Sequence, residues 1–253
     1  MTQYVRAKKH LGQHFLMDQN IARKIVDALQ DKHRETLEVG PGTGVLTQFL
    51  IEEFPLFQVS EIDNESVGFL REKFPDLSII EGDFLKLDIA SLFKSELAII
   101  GNFPYNISSQ ILFKVLENRN LVVEVVGMFQ KEVAQRIASP SGSKEYGILS
   151  VFMQAFYNIE YLFSVSPNVF SPPPKVQSGV VRFLRKENFV LPCNEKLFFQ
   201  VVKTTFNQRR KTIRNSIKPL VSDRAKIDDF YLNNRPEQLN VNQFVEICQM
   251  IEA

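Results

Sequence analysis

The sequence predicts an α/β fold in which a doubly wound sheet with an antiparallel edge is followed by a small C-terminal helical domain. Over the first 170 of its 253 residues, segments with helical periodicity alternate with short apolar segments that are typical of strands. A glycine-rich turn, GPGTG, follows the first of these apolar segments. After Pro192 the strand patterns stop, and helical periodicity continues to the end of the chain. We therefore expect two domains, at residues 1–189 and 190–253.

The individual elements follow one another in the order that a parallel sheet requires. Asp18 is a good N-cap for a first helix in which Ile21 and Ile25 share one face. Strands are predicted at 35–39, 57–62, 77–81, 96–101 and 121–129, with helical segments between them. The segments YNIEYLFSV and VVRFLRK flank SPPPKV and are expected to form the antiparallel edge. A surface loop is expected at 139–147, and helical patterns occupy FFQVVKTTF, RKTIRNSI and VNQFVEICQMI.

The composition excludes membrane proteins and metal sites built on sulfur. No apolar run approaches the ~20 residues that span a bilayer, and the N-terminal segment lacks the apolar stretch of a secretory signal. We therefore expect a cytoplasmic protein with no membrane partner. Cys193 and Cys248 are too few for a disulfide scaffold or a thiolate zinc cluster. His10 and His14 are four residues apart, but only His33 is available as a third imidazole, so we expect no metal.

Positive charge is concentrated in two segments, although the formal net charge is only +1. Residues 1–17 and 196–222 contain no acidic residue, and together they hold ten cationic residues. The remaining 209 residues carry 20 basic and 29 acidic side chains. This distribution favours a surface that faces a polyanion, although two solvated basic segments would produce the same pattern.

The glycine turn and the polar residues after the strands outline a binding crevice. The turn, residues 40–44, lies between a strand and a helix, where backbone N–H groups can approach a ligand closely. Its glycine spacing is G-x-G-x-G, whereas nicotinamide-binding turns have G-x-G-x-x-G. Glu61 lies at the end of the second strand, and Asp83 and Asn102 follow the third and the fourth. The glycines alone would also fit a structural turn, but with these strand ends they predict a site for an adenosine-bearing cofactor, with Glu61 on the ribose.

The segment Asn102-Phe103-Pro104-Tyr105 follows an apolar strand directly and suits a planar amine. The exocyclic nitrogen of adenine is a poor nucleophile because its lone pair is delocalised into the ring. The side-chain carbonyl of Asn102 can accept a hydrogen bond from the amine, and Pro104 stiffens the turn so that the Phe103 carbonyl can do the same. Tyr105 offers a ring on which the base can stack. Such carbonyl dipoles stabilise the positive charge that develops during transfer, although an Asn-initiated turn with a buried tyrosine is the structural alternative.

Together these motifs resemble the KsgA family of small-subunit ribosomal RNA adenine dimethyltransferases. The resemblance covers nearly the whole chain, through LGQHFL, EVGPGTG, SEID, EGDF, GNFPYNIS, FQKEVAQRI, FSPPPKV and FNQRRKTIRNS in that order. It implies a class I methyltransferase with a Rossmann-like sheet that uses S-adenosyl-L-methionine. The implied reaction transfers four methyl groups during ribosome biogenesis, two to each of two adjacent adenines near the 3′ end of small-subunit (16S-type) rRNA. Each adenine must leave its stack to enter the pocket.

The resemblance also assigns residues to the cofactor and to the base. It implies cofactor contacts by His14, Leu16, Gly40, Gly42, Glu61, Asp83 and Asn102. It implies that Phe170 stacks on the target adenine, whereas the residues alone favour a hydrophobic anchor for the run Pro172 to Pro174. Two positions depart from the family pattern. His14 replaces an asparagine, which makes its side-chain contact the least secure, and Phe103 replaces a leucine or isoleucine, which affects the width of the pocket but not a backbone contact.

In this family a basic tail, here the acid-free segment 196–222, docks on rRNA. This implies phosphate contacts by Arg209, Arg210, Lys211 and Arg214. We expect the partner to be the small ribosomal subunit with its rRNA, and the protein to be a monomer. Three alternatives stay open, namely a related large-subunit methyltransferase that confers macrolide resistance, a non-catalytic RNA-binding or assembly factor, and a nicotinamide oxidoreductase. The intact segment 102–105, called the amine turn below, argues against a non-catalytic factor. The glycine spacing argues against an oxidoreductase.

Overall fold

The structure, a computed structural model, describes residues 5–221 and 227–253. The strands in this part of the chain are β1 (Phe15–Leu16), β2 (Glu35–Val39), β3 (Phe57–Glu61), β4 (Ile79–Glu81), β5 (Leu97–Asn102), β6 (Val122–Gln130), β7 (Tyr157–Val165), β8 (Phe170–Ser171) and β9 (Ser178–Arg185). The α-helices are α1 (Gln19–Val26), α2 (Thr47–Glu53), α3 (Asn64–Lys73), α4 (Ile89–Leu92), α5 (Ser108–Glu117), α6 (Lys131–Ala138), α7 (Ile148–Phe156), α8 (Glu195–Asn207), α9 (Ile213–Ser216), α10 (Asp229–Asn233) and α11 (Val241–Glu252).

The central sheet has seven strands within the described residues, in the order β4-β3-β2-β5-β6-β9-β7, and β1 pairs separately with β8. The first five strands in this order pair in parallel, and β9 runs antiparallel to β6. The predicted α/β sheet with an antiparallel edge is therefore confirmed. Each predicted strand is present, and its ends lie within about two residues of the prediction.

Local sequence signals explain where the helices beside the sheet begin. The carboxylate of Asp18 accepts hydrogen bonds from the backbone N–H groups of Asn20 and Ile21, at 2.9 and 3.0 Å, and so caps α1 as predicted. The apolar face of α1 is buried at Ala22 and Ile25. This face belongs to a hydrophobic core that also contains residues of α2, β3 and β5. Burial of that face, rather than helix propensity, holds the short helix in place.

The order of the strands determines where a ligand can bind. Strand β2 lies between β3 and β5, so the chain first proceeds to one side of β2 and later returns to its other side. An open parallel sheet binds its ligand at such a switch point, outside the carboxyl ends of the strands. The glycine turn follows β2, Glu61 ends β3 and Asn102 ends β5. The predicted crevice residues therefore meet at one edge of the sheet.

The chain divides into two compact units. The first contains the residues up to Ala134 together with Ile159–Arg185, and the second contains Gln135–Asn158 and Lys186–Ala253. In the second unit, Phe198 of α8 and Phe244 of α11 are fully buried, so this unit has a core of its own. The second half of α6 and the whole of α7 thus belong to the helical unit, although they precede the predicted boundary at 189/190. The functional domains predicted from the sequence, which concern cofactor and RNA binding, stay predictions.

Residues 5–221 and 227–253 contain neither a membrane-spanning helix nor a metal-binding cluster. No helix there is both long enough and apolar enough to cross a bilayer. No group of three or more His, Cys, Asp or Glu side chains there is arranged to hold a metal ion.

Candidate active site

A cavity of about 280 Å³ lies at the carboxyl ends of the parallel strands. Its walls are an N-terminal arm at residues 10–15, the glycine turn, and the segments 60–62, 82–85 and 102–107. The predicted cofactor residues that line it are His14, Gly40, Gly42, Glu61, Asp83 and Asn102. The cavity is close to the lower end of the ~300–1,000 Å³ that is usual for small-molecule sites. The structure therefore brings most of the predicted cofactor site together around one space.

The glycine turn adopts a backbone conformation that disfavours side chains. Gly40 and Gly42 have φ values of 70° and 57°, in the left-handed region. A β-carbon at Gly42 would also lie 2.7 Å from Cε1 of Phe15 in the arm. The glycines thus allow the arm to lie directly against the turn, in which the N–H of Gly40 donates to the Ser60 carbonyl at 2.9 Å and that of Gly44 to the Pro41 carbonyl at 2.9 Å.

Glu61 is held by backbone donors at the end of β3. Its Oε2 accepts a hydrogen bond from the N–H of Gly42 at 3.1 Å, and its Oε1 accepts from Ile62 and Asp63, each at 2.9 Å. Burial raises the pKa of the Glu61 carboxyl, while these three donors partly offset the increase. A carboxylate has about four acceptor positions. A position therefore remains on Glu61 for a ribose hydroxyl.

A second buried acid, Glu38, lies in β2 beside Glu61. Its Oε2 accepts a hydrogen bond from the hydroxyl of Thr47 at 2.6 Å. Burial, together with repulsion from Glu61, raises the pKa of Glu38 to about 8, although the Thr47 hydrogen bond lowers it. Glu38 is consequently protonated at neutral pH. The pair avoids the cost of two buried charges, and Glu61, with more donors, is the member better suited to carry the charge.

Asp83 and two apolar side chains form the wall that follows β3 and β4. Oδ1 of Asp83 accepts a hydrogen bond from the N–H of Leu85 at 3.0 Å, which fixes the carboxylate at the edge of the cavity. Ile62 is 49% exposed, and both Ile62 and Leu85 line the same space. Apolar surface beside a few polar groups is typical of a pocket for a planar base. Sequence reasoning missed these two residues, although Ile62 directly follows Glu61 and Leu85 lies two positions after Asp83.

Asn102 is oriented by the N-terminal arm. Its Nδ2 donates a hydrogen bond to the backbone carbonyl of His14 at 2.8 Å. This bond distinguishes the two ends of the side-chain amide and leaves Oδ1 as its acceptor. Asn102 is partly buried and lines the cavity. The arrangement provides the carbonyl acceptor that was predicted for an amine.

The ring of Phe103 is 1% exposed and points into the protein core. It packs edge to face against Phe129, with 5.3 Å between ring centroids. Gly101 and Gly127 make room for it, since a β-carbon at Gly101 would lie 2.8 Å from its Cε1 and one at Gly127 would lie closer still. The backbone N–H of Phe103 donates to the Met128 carbonyl at 3.2 Å. The larger side chain at this position is therefore accommodated in the core, and the backbone remains at the cavity.

Tyr105 and His14 lie against each other beside the cavity. Their ring centroids are 5.6 Å apart, and the ring planes are inclined by 29°. The Tyr105 hydroxyl forms a hydrogen bond with the Ser178 hydroxyl at 2.6 Å, and burial raises the pKa of the phenol. Nδ1 of His14 lies 2.7 Å from the carbonyl oxygen of Pro172, to which a protonated Nδ1 donates. One face of the predicted stacking ring is thus covered by the imidazole.

Leu16 and Phe170 lie in the core and are not among the residues that line the cavity. They pair with each other across β1 and β8, and Phe170 is only 4% exposed. In this structure Phe170 is a hydrophobic anchor for the segment that begins at Pro172, as its residues alone had favoured. Its predicted stacking on a base would require the ring to leave the core, and a cofactor contact by Leu16 would have to involve its backbone.

The four cations predicted to bind RNA phosphates differ in their surroundings. Arg209 donates to the carbonyl of Lys144 at 2.6 Å, and its Nε lies 3.8 Å from Glu237. Arg214 forms an ion pair with Asp229. Arg210 and Lys211 are exposed and have no ion pair among the described residues. Of the four, only Arg210 and Lys211 have side chains without a partner in the part of the chain that the structure describes.

The first acid-free segment is partly neutralised by the fold. Lys8 forms an ion pair with Asp63, which caps α3, and lies 3.4 Å from Glu65. Burial would raise the pKa of Asp63, but hydrogen bonds from Lys8 and from the Ser66 hydroxyl lower it below its usual range. Lys8 therefore fastens the arm to the start of α3. Residues 1–4 of this segment, and Ser222 at the end of the other acid-free segment, lie outside the described residues.

Comparisons with known sequences give one consistent result. The profile of the family described as "Ribosomal RNA adenine dimethylase" matches residues 4–253. The chain is 57% identical to the ribosomal RNA small subunit methyltransferase A of Flavobacterium johnsoniae, over 98% of this chain and 97% of that protein. It is 54% identical to the protein of the same name from Cytophaga hutchinsonii, over 98% of each chain.

Solved structures are similar over most of the chain. A dimethyladenosine transferase from Plasmodium falciparum has a TM-score of 0.79 and 26% identity, over 92% of this chain and 96% of that one. The 23S rRNA methyltransferase ErmE has a TM-score of 0.71 and 24% identity, over 93% of this chain and 99% of that one. At that identity the second similarity establishes the fold alone.

Proposed function

Because the chain belongs to the ribosomal RNA adenine dimethylase family, we propose that it transfers methyl groups to two adjacent adenines near the 3′ end of small-subunit rRNA. Membership confirms the family predicted from the sequence motifs, and with it the class of enzyme, an rRNA adenine dimethyltransferase. Each adenine receives two methyl groups on its exocyclic nitrogen. The protein acts as a monomer in the cytoplasm, and its partner is the small ribosomal subunit.

The observation that carries this proposal is the orientation of Asn102. Its Nδ2 is engaged by the His14 carbonyl, so Oδ1 is the acceptor that the amide offers to a bound amine. The Phe103 carbonyl, at the start of the stiffened turn, is the second acceptor. When both N–H groups of the adenine amine donate to these acceptors, the nitrogen lone pair is directed out of the ring plane, where it can attack. The dipoles of the two acceptors stabilise the positive charge that develops on the nitrogen. The methylated nitrogen then loses its proton readily to water.

The residues at the cavity fit S-adenosyl-L-methionine as the methyl donor. The buried carboxylate of Glu61 has an acceptor position suited to the ribose, and the left-handed glycines leave room for close backbone approach. Asp83 lies beside the apolar surface of Ile62 and is positioned to contact the adenine ring of the cofactor. Gly40, Gly42, Asn102 and the backbones of His14 and Leu16 complete the proposed contacts. When bound, this cofactor supplies an electrophilic methyl group on a positively charged sulfur.

The target adenine must leave its stack to reach the cavity, and Tyr105 offers it a stacking surface. Phosphates around the adenine are bound by the basic tail, chiefly by Arg210 and Lys211, which have no intramolecular partner among the described residues. Arg209 and Arg214 would first have to exchange their present partners for phosphate. Phe170 joins the stack on the base if its ring leaves the core.

The proposal is tested with purified ribosomal subunits that lack the modification. Labelled cofactor should transfer methyl groups to small subunits, and reverse transcription of their RNA should stop at two neighbouring adenines, because a dimethylated adenine cannot pair normally. Large subunits serve as the parallel substrate. Transfer to the large subunit alone would instead identify a large-subunit methyltransferase. Cofactor binding without transfer to either subunit would identify a non-catalytic RNA-binding factor.

A further inference from the structure

His14 makes three contacts around the amine site, with Asn102, Tyr105 and Pro172. Its backbone carbonyl accepts the hydrogen bond from Nδ2 of Asn102 at 2.8 Å. Its imidazole lies against the ring of Tyr105, and Nδ1 lies 2.7 Å from the Pro172 carbonyl. The arm, the amine turn and the segment after β8 are far apart in sequence, so a single residue joins all three.

The contacts of the imidazole help to fix the position of the carbonyl of the same residue. Because Nδ1 is anchored to the Pro172 carbonyl and the ring rests on Tyr105, the side chain is fixed at two points. Two fixed points on the side chain restrict the backbone to which it is attached. The carbonyl that orients Asn102 is part of that backbone. The imidazole of His14 therefore influences the position of the Asn102 side-chain amide through the His14 backbone.

The residues of the arm on either side of His14 pack closely against other segments of the chain. Gly12 has φ of 66°, and a β-carbon there would collide with the amide of Asn106 in the segment after the amine turn. Phe15 lies over Gly42 with similarly little space. Leu16 then pairs with Phe170 in the core. The arm is thus held on both sides of His14, and a loss at His14 should alter local alignment rather than release the arm.

We propose that His14 is a positioning residue for methyl transfer, which orients the Asn102 amide through its carbonyl and braces the Tyr105 ring with its imidazole. This inference rests on the proposed function, since it concerns the same amine site. It assigns the histidine side chain to the geometry of the base rather than to binding of the cofactor. The second methylation should depend on it most, because a monomethylated amine has only one N–H group left to direct it.

The test compares His14→Ala with His14→Phe, which keeps a ring on Tyr105 but loses the donor to Pro172. His33→Ala, an exposed histidine in the loop before β2, is the matched control. Single-turnover rates on unmodified small subunits, the ratio of monomethyl to dimethyl product, and cofactor affinity by calorimetry are measured for each variant. Melting temperatures identify any variant that has failed to fold.

For His14→Ala we expect the single-turnover rate to fall about tenfold to a hundredfold, as for a misplacement of about 1 Å, while the cofactor Kd changes by less than about threefold. Monomethylated adenine should accumulate, and His14→Phe should recover part of the rate. An unchanged rate would overturn the inference. So would a cofactor affinity that falls in parallel with the rate, because the His14 side chain would then bind the cofactor.

A second measurement separates this inference from the proposed function. Hydrogen exchange of the Asn102 side-chain amide, followed by ¹⁵N NMR in the RNA-free protein, reports the bond to the His14 carbonyl directly. Exchange should be slow in the wild type and in His33→Ala, and faster in His14→Ala. Equal exchange in all three proteins would refute the positioning role even if methyl transfer occurs. Faster exchange in His14→Ala would support it even if the wild type transfers no methyl group.

Discussion

Two buried carboxylates and one amide define the site at the scale of single residues. Glu38 and Glu61 are neighbours with opposite surroundings, since Glu38 has a hydroxyl donor and Glu61 has three backbone N–H donors. Different surroundings of this kind separate the protonation states of neighbouring acids. Protonation of Glu38 leaves the charge on Glu61, the carboxylate that lines the cavity.

Glu38 should make the stability of the protein depend on pH. Its pKa is raised to about 8 in the folded state from an ordinary value of 4.5, so the folded state holds the extra proton between these limits. The contribution to stability is complete below about pH 4.5 and is lost as the pH rises to about 8, by up to about 1.4 kcal/mol per pH unit. We expect Glu38→Gln to become more stable relative to wild type across this window in denaturant titrations.

Gln at position 38 retains an oxygen that can accept from the Thr47 hydroxyl, so the comparison removes chiefly the titration. Glu52→Gln, at an exposed position of α2, is the matched control and should run parallel to wild type. A constant stability difference between Glu38→Gln and wild type from pH 5 to pH 8 would contradict the assignment of this pKa.

Glu61 should act chiefly on cofactor affinity. Replacement by Ala removes the acceptor for the ribose and leaves the N–H groups of Gly42, Ile62 and Asp63 without their partner. A hydrogen bond to a charged group contributes about 1.5–3 kcal/mol, so we expect the Kd for S-adenosyl-L-methionine to rise about tenfold to a hundredfold in calorimetry. Glu72→Ala, exposed on α3, should bind as wild type does. Wild-type affinity in Glu61→Ala would place the ribose elsewhere.

At the scale of elements, the basic tail illustrates what a charge pattern can and cannot predict. The acid-free segment is visible in the sequence, and its helices α8 and α9 were predicted. The partner of each cation was not, because it comes from another part of the chain: the Lys144 carbonyl for Arg209 and Asp229 for Arg214. The neighbouring residues Arg209 and Arg210 therefore differ in their intramolecular contacts, although the sequence treats them alike.

This difference predicts opposite behaviour for two adjacent substitutions. Arg210→Ala should reduce the slope of log K for RNA binding against log salt concentration by about 0.7–0.9, the amount for one phosphate contact, without a change in melting temperature. Arg209→Ala should change that slope less, and should destabilise the fold by about 1 kcal/mol because the Lys144 carbonyl loses its donor. Equal slope changes for the two variants would show that Arg209 exchanges its partner for phosphate on binding.

At the scale of the whole molecule, the sequence predicts what depends on local pattern and misses what depends on distant contacts. The seven strands of the central sheet and the polar strand ends follow from periodicity and turn chemistry and were predicted, whereas the two-residue strands β1 and β8 were not. The buried positions of Leu16 and Phe170 follow from the pairing of β1 with β8, across more than 150 residues of chain. The triple contact of His14 is likewise tertiary. Sequence reasoning therefore missed the contacts of residues whose motif was recognised but whose contact partner is distant in the sequence.

The account depends most on the claim that the Asn102 amide oxygen holds the amine of the target adenine. The direct measurement is the single-turnover rate of Asn102→Ala on unmodified small subunits, with cofactor affinity measured in parallel and Asn120→Ala, at an exposed position after α5, as the control. Loss of one preoriented dipole typically costs about a hundredfold to a thousandfold in rate. We predict a loss of that size in Asn102→Ala with the fold intact and the cofactor still bound, whereas transfer at the wild-type rate would show that the amine is held elsewhere.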